Sequence, residues 1–259
     1  MKYLKYLQTT NDFESFKNSE DYILPNVSYV VETEEVSFEP YVEPPFEIEI
    51  PSPYTQWARI QHRDGTLYTA DEWLAAESAG TVTDADANGV AVLYSQYAVC
   101  PHVIHPKYSD NEMKWSTNNY VEVPGVTTAS DDATAQPDVN GKANTDAILA
   151  AVSSGTIVDA PAAQYCVDVT FADGQSGYLP AEGEIRAWIN NKAAINSCMD
   201  AIGGDKMNEN SWSSTQYSAS SAWVWVYSTT SINSKNKTNC YVRPVVAFEY
   251  SPKNEFSNK

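Results

Sequence analysis

The sequence predicts an α+β protein, and three observations carry that prediction. The chain begins with strand-like runs, two helix patterns occupy 182 to 202, and short strands follow them, so helices and strands are segregated along the chain and do not alternate as βαβ units. The 259 residues suffice for one large or two modest domains.

Residues 1–54 read as a small N-terminal module with its linker. Phe13 and Phe16 lie in a polar segment suited to one or two helical turns behind the Thr10-Asn11-Asp12 cap. Asn26–Val31 and Glu35–Phe38 read as two strands around a Glu-Thr-Glu turn. Pro40, Pro44, Pro45, Pro51 and Pro53, interleaved with Glu43, Glu47 and Glu49, forbid helix and mark a domain boundary near residue 54.

The second module, 55–250, opens at Trp57. Asp64–Tyr68 is a tight turn feeding a strand, Thr69–Trp73 is a capped helix start, and Gly89–Tyr97 is an apolar strand. The Thr-, Ser-, Asp- and Ala-rich stretch 118–137 predicts a long surface excursion. Asp146–Val152 predicts a helix ending before Gly155. Beyond Tyr178–Ile185, one helix is expected through Trp188 to about Lys192 and a second from Ala193 to Ile202, stopped by Gly203-Gly204. Residues 251–259 are expected to form a flexible tail.

The stretch 211–248 has its own character. Trp212–Thr215 and Tyr241–Val245 look like framework, and between them Gln216, Tyr217, Trp223, Trp225 and Tyr227 stand among Ser, Thr and Asn, with Lys235 and Lys237 as the charges. Large, stiff aromatics beside adaptable hydrogen-bonding residues are the composition of an antibody-like binding surface. Trp223–Tyr227 predicts a strand with one set of side chains facing a core and the other facing outward.

The net charge of −18 argues against a nucleic-acid surface, which needs Lys and Arg. The acid is uneven: residues 1–55 carry eleven Asp/Glu against three Lys, a net of −8, whereas 211–250 carry three basic residues against Glu249, a net of +2. The first sixteen residues hold no apolar run of signal-peptide length, and no window approaches the roughly 18 apolar residues of a membrane span, so assembly in a bacterial cytoplasm and no membrane insertion are expected. Cys100, Cys166, Cys198 and Cys240 fit no zinc spacing and are read as buried thiols.

Two resemblances organise these pieces. Tyr22–Tyr29, YILPNVSY, resembles a recurrent N-terminal segment of virion and surface-fibre proteins from phages of gut Bacteroides-type bacteria, which implies a β-containing anchoring module that contacts other virion proteins. Further on stand Asp138–Thr145, Ala160–Cys166, Gly177–Pro180, Glu182–Glu184, Ala201–Gly204, Trp212–Thr215, Ala222-Trp223 and Tyr241–Val245. In order and spacing this set resembles a C-type-lectin-fold family that includes the variable proteins of diversity-generating retroelements, over roughly 57–250.

That resemblance implies a C-type lectin-like domain of two small sheets and two helices, whose late strands and loops form a solvent-facing ligand surface. It implies a phage adhesin, often a homotrimer, in which adenine-templated mutagenesis diversifies the last strands. Carried onto this sequence, the ligand-binding candidates are Gln216, Tyr217, Ser220, Ser221, Trp225, Tyr227, Asn233, Ser234, Asn236, Thr238 and Asn239. Many are types reachable from an Asn codon by changing adenines, and so is Cys240.

Other chemistries fit less well. Calcium-dependent sugar binding needs converging oxygens, and Gln136-Pro137-Asp138 stands far from the display stretch with no Trp-Asn-Asp partner. Cys100-x-His102-x-x-His105 has zinc-type ligands, but the two histidines are an odd number apart and point to opposite faces of a strand. The fold of the resemblance also hosts an oxidase that makes formylglycine with a pair of reactive cysteines, of which only Cys240 has a counterpart here. His62 has no nucleophile motif beside it, and Glu182 and Glu184 read as helix N-terminal carboxylates. No enzyme and no cofactor is expected. The expected function is a virion adhesin binding a host cell-surface receptor or glycan; the alternative is a virion decoration or fibre protein whose aromatics pack between subunits.

Overall fold

The computed structural model describes residues 57–118, 120–227 and 229–248; the expectations for 1–54 and 251–259 lie outside them. In chain order the elements are β1 (Arg59–His62), β2 (Leu67–Tyr68), α1 (Ala70–Ser78), β3 (Ala87–Tyr94), β4 (Val99–Ile104), α2 (Asp132–Ala135) and α3 (Gly141–Ser153). There follow α4 (Pro161–Asp168), α5 (Glu182–Ala201), β5 (Ser211–Gln216), β6 (Ser221–Val226), β7 (Thr229–Ser234) and β8 (Val245–Ala247). The protein is α+β, with a five-stranded sheet ordered β2-β1-β3-β4-β8 and a three-stranded sheet ordered β5-β6-β7, all pairs antiparallel.

Local chemistry sets the helix starts. Thr69 and Glu72 form a reciprocal capping box on α1: the Glu72 N–H donates to Thr69 Oγ1 at 3.2 Å, and the Thr69 N–H donates to Glu72 Oε2 at 2.8 Å. This satisfies two otherwise orphaned donors. α4 starts on Pro161, whose missing N–H costs nothing in the first turn.

α5 is one unbroken helix of 20 residues, which corrects the expected break at Lys192–Ala193. After Gly183 in its first turn no Gly or Pro follows until Gly203, and Ile185, Trp188, Ile195, Met199 and Ile202 fall on one helical face and are buried together. They pack on Val90, Val92 and Ile104 of the larger sheet and on Trp73 of α1.

The smaller sheet is packed on both faces. Ala222 and Val224 of β6 join Trp115, Ile148, Ala163 and Trp212 in one core, while Trp225 joins Trp188 in the other, their ring centroids 6.3 Å apart. Trp223 lies in a third cluster with Ala129, Ala135 and the edge of Tyr217. The expectation that one side of β6 faces solvent is therefore corrected: Trp223 and Trp225 do share a face, but that face is roofed by α5 and by 129–135. For the same reason 118–137 is no mere surface excursion. Val123, Val126, Ala129 and Ala135 are buried, and Trp223 Nε1–H donates to the Ala129 carbonyl at 2.9 Å.

Arg243 staples the far side. Its fully buried guanidinium donates to the carbonyls of His105, Pro106 and Asp205 at 2.8–2.9 Å and lies over Tyr108. Truncating a fully buried Trp removes packing that neighbours cannot refill, so Trp225→Ala is expected to cost about 3–5 kcal/mol of stability. Urea denaturation followed by tryptophan fluorescence measures it.

Candidate binding surface

The 211–240 stretch is built from the inside outward, and its inner layer is polar. Asp138, buried ahead of α3, accepts from Thr215 Oγ1 at 2.6 Å, from Asn144 Nδ2 at 3.1 Å and from Asn140 Nδ2 at 2.9 Å. Thr215 Oγ1 in turn accepts the Glu182 N–H at 2.9 Å, so one hydroxyl ties β5 to the start of α5. Gly183 N–H donates to the Asp138 carbonyl at 2.7 Å, an approach that leaves no room for a Cβ at Gly183.

Gln216 and Lys235 form a second buried unit. The Gln216 amide exchanges hydrogen bonds with the Val123 backbone, accepting its N–H at 2.8 Å and donating to its carbonyl at 3.0 Å. Lys235 Nζ donates to Gln216 Oε1 at 2.5 Å and to the Val121 carbonyl at 3.0 Å, and sits 4.5 Å from the Trp115 ring centroid. Burial pushes the Lys235 ammonium down to about 8.

Two carboxyls lie beneath the surface at the N-terminus of α5. Burial pushes Glu182 up to about 7 against the pull of Arg186, whose Nε donates to its Oε1 at 2.6 Å. The Thr230 hydroxyl of β7 also pulls against the upward shift. Arg186 also pairs with Asp132 of α2. Burial likewise pushes Glu184 up to about 8, opposed by donation from the Ala181 N–H and the Tyr178 hydroxyl, both at 2.7 Å.

The sequence-predicted residues sort by exposure. Gln216 and Trp225 are fully buried, which corrects the expectation that they face solvent: Gln216 satisfies the backbone of 121–123, and Trp225 fills the core beside Trp188. Tyr217, Ser220, Ser221, Asn233, Ser234 and Asn236 are half-buried, and Tyr227, Thr238 and Asn239 are exposed. Two groups result. Tyr217–Ser221 and 236–239 meet at one end of the sheet, joined by the Lys235 N–H to Ser220 carbonyl bond at 3.0 Å and by Asn233 Nδ2 donating to Asn239 Oδ1 at 2.7 Å. Tyr227 stands at the other end of β6–β7, a strand length of about 20 Å away.

Tyr227 caps the hairpin. Val226 pairs with Thr229 across a two-residue turn, and Tyr227 has φ 56°, the one positive φ at a non-glycine among the described residues. A bulky side chain there costs on the order of 1 kcal/mol. The turn is held by Lys192 Nζ donating to the Tyr227 carbonyl at 2.6 Å, and the ring is 64% exposed. The sequence reading missed Thr229, Ser231 and Ile232, exposed along β7 between the two groups; Ile232, a lone aliphatic in a run of Thr, Ser and Asn, was the available signal.

The histidines and cysteines are accounted for by packing. His102 accepts the Trp188 indole N–H at Nε2, 2.8 Å, so its proton is on Nδ1, which donates to the Cys100 carbonyl at 2.6 Å; burial pushes its pKa down to about 4. Both ring nitrogens are committed. All four cysteines are buried and unbridged. Among the described residues no helix is long and apolar enough to cross a membrane.

With this geometry in hand, comparison with known proteins gives one fold-level finding. No protein-family model and no curated protein matches the chain. A fimbrial protein from Bacteroides ovatus ATCC 8483 matches in structure with a TM-score of 0.51 and 13% identity over 72% of this chain. The match covers 47% of that protein, so the chain spans about half the length of its neighbour. At this identity the likeness is one of fold.

The buried acids predict a pH dependence. Glu184 in the unfolded chain ionises near its ordinary 4.5, whereas the folded protein holds the proton up to about 8. Between those values folding takes up a proton, so stability falls as pH rises, by at most about 1.4 kcal/mol per unit for one group. Glu184→Gln keeps an acceptor for Ala181 and is expected to flatten that part of the slope between pH 5 and pH 8, measured by urea unfolding across that range.

Proposed function

We propose that the chain is a phage virion adhesin that attaches to the surface of a gut Bacteroides-type bacterium through the exposed part of the 216–240 stretch. The observation that carries this reading is Tyr227: a large aromatic held out to solvent on a strained turn, over a scaffold into which Trp223 and Trp225 are packed away. A strained, exposed aromatic adds nothing to folding, and rigid aromatic anchors flanked by hydroxyls and amides are what contact surfaces use. Tyr217, Ser220, Ser221, Asn236, Thr238 and Asn239 form the second contact group. The exposed stretch bears no carboxylate among its described residues and one exposed ammonium, Lys237, so the ligand is bound by stacking and by hydrogen bonds from hydroxyls, amides and that ammonium, as suits a saccharide or a polar protein face.

In this reading the domain is C-type lectin-like, the N-terminal module anchors it to other virion proteins, the protein is a homo-oligomer of the trimeric kind, and its role is binding and not catalysis. The likeness to a fimbrial protein is loosely compatible with an adhesive role. The rival reading has the same aromatics, Trp225 and Tyr227, packing between subunits; Trp225 is enclosed by its own chain, which leaves Tyr227 as the residue that reading would rest on.

Tyr227→Asn separates binding from folding, because Asn accepts a positive φ. The variant is expected to keep or raise the melting temperature and to lose roughly tenfold or more in binding to host cells, as at an aromatic hot spot. Flow cytometry with labelled full-length protein on a panel of gut Bacteroides strains measures it. Undiminished binding by Tyr227→Asn combined with Tyr217→Ser contradicts the reading.

A further inference from the structure

β7 is the outer strand of its sheet, and its free edge carries none of the usual protections. It has no charged residue, no Pro and an unbroken register with β6 from Ser221↔Ser234 to Val226↔Thr229. Natural edge strands are usually blunted by Lys, Pro or a bulge, because an open row of N–H and C=O groups is a template for another strand.

The phase of the hairpin shows which groups are open. A two-residue turn makes Val226–Thr229 a hydrogen-bonded pair, so Thr229, Ser231 and Asn233 direct their backbone toward β6, and Thr230, Ile232 and Ser234 direct theirs outward. The Lys235 N–H donating to the Ser220 carbonyl continues that phase. Ser234 is already engaged, its N–H by Asn233 Oδ1 at 3.0 Å and its carbonyl by the Lys237 N–H at 3.0 Å. Thr230 and Ile232 remain as the open pair; among the described residues no backbone group meets them, and the Thr230 carbonyl receives only the Thr229 hydroxyl at 3.4 Å.

We propose that this edge pairs with the β7 edge of a second copy of the chain, antiparallel about a two-fold axis through Ser231. The open groups select the register. With Ser231 opposite Ser231 of the other copy, Thr230 faces Ile232 and Ile232 faces Thr230, so all four open N–H groups and all four C=O groups across the two copies can be satisfied in four hydrogen bonds. An axis through Ile232 would instead call on Ser234, whose groups are taken.

Side chains agree with that register. Serine on the axis places no like charges together, and Ile232, 44% exposed, meets the Thr230 of the other copy on the face that carries Trp223. The product is a continuous six-stranded sheet that sets two contact surfaces side by side. The pairing does not depend on the adhesin reading, and a three-fold association would have to use surfaces other than this edge.

Ser231 supplies the test, made on the full-length chain. Opposed residues of a non-hydrogen-bonded pair lie about 4.5 Å apart at Cα, within disulfide range, and the native cysteines are buried. Ser231→Cys is expected to form a covalent dimer under mild oxidant, whereas Thr238→Cys, exposed but off the axis, does not. Ser231→Lys puts two ammonium groups on the axis and is expected to lower the mass seen by light scattering, with circular dichroism unchanged. Absence of the cross-link in Ser231→Cys, an equal cross-link in Thr238→Cys, or an unchanged mass for a folded Ser231→Lys variant overturns the proposal; a monomeric wild type at tens of micromolar does so as well.

Discussion

The burial of β6 on both faces is the constraint from which the rest of the display region follows. A strand reading Ala-Trp-Val-Trp in an antiparallel sheet can leave one row in water, yet here Trp225 is roofed by α5 and Trp223 by 129–135, while Ala222 and Val224 close on α3 and α4. With its centre committed to two cores, the sheet can offer a partner only its periphery: the hairpin tip, the outer strand and the loops at the far end. A buried central strand also holds those parts stiffly, and so a contact surface there starts with little ordering entropy to lose.

Polar burial does the positioning that apolar packing cannot. Asp138 fixes Thr215, Asn140 and Asn144 with directional bonds, and Lys235 with Gln216 fixes the 121–123 segment, so the loops around the sheet have one arrangement. Such groups are costly if left unpaired, which makes the network a specifier of one conformation as much as a source of stability. Glu182 adds a buried carboxyl, held by Arg186 and by the Thr230 hydroxyl of the outer strand. Most of the ionisable groups therefore sit below the surface, and solvent sees hydroxyls, amides, two aromatic rings and the Lys237 ammonium.

Much of the fold was legible because its signals are local. Thr69 and Glu72 announced α1, Gly155 closed α3, and the framework residues 212–215 and 242–245 proved interior, down to Arg243. The continuity of α5 was also written in the chain, in the apolar face from Ile185 to Ile202 with no breaker inside. What could not be read was which segment would cover a given strand face. Gln216, Trp225 and Lys235 have surface-like neighbours in sequence, and only tertiary packing by 121–135 and α5 turns them inward; Ile232, apolar in sequence, is left outside for the converse reason. A composition suited to binding marked the right stretch, but not the residues within it that meet solvent.

If an exposed periphery of contact residues rides on a fixed, buried strand, the two must differ in how freely they vary. Deep sequencing of this gene in a population from its source tests that most directly. The account predicts that substitutions concentrate at Tyr217, Ser220, Ser221, Tyr227, Asn236, Thr238 and Asn239, while Gln216, Trp225 and Lys235, although they lie in the same stretch, stay fixed with Trp212 and Arg243. Substitutions spread evenly along the chain, or falling on Trp225 and Lys235 as often as on Tyr227, would contradict it.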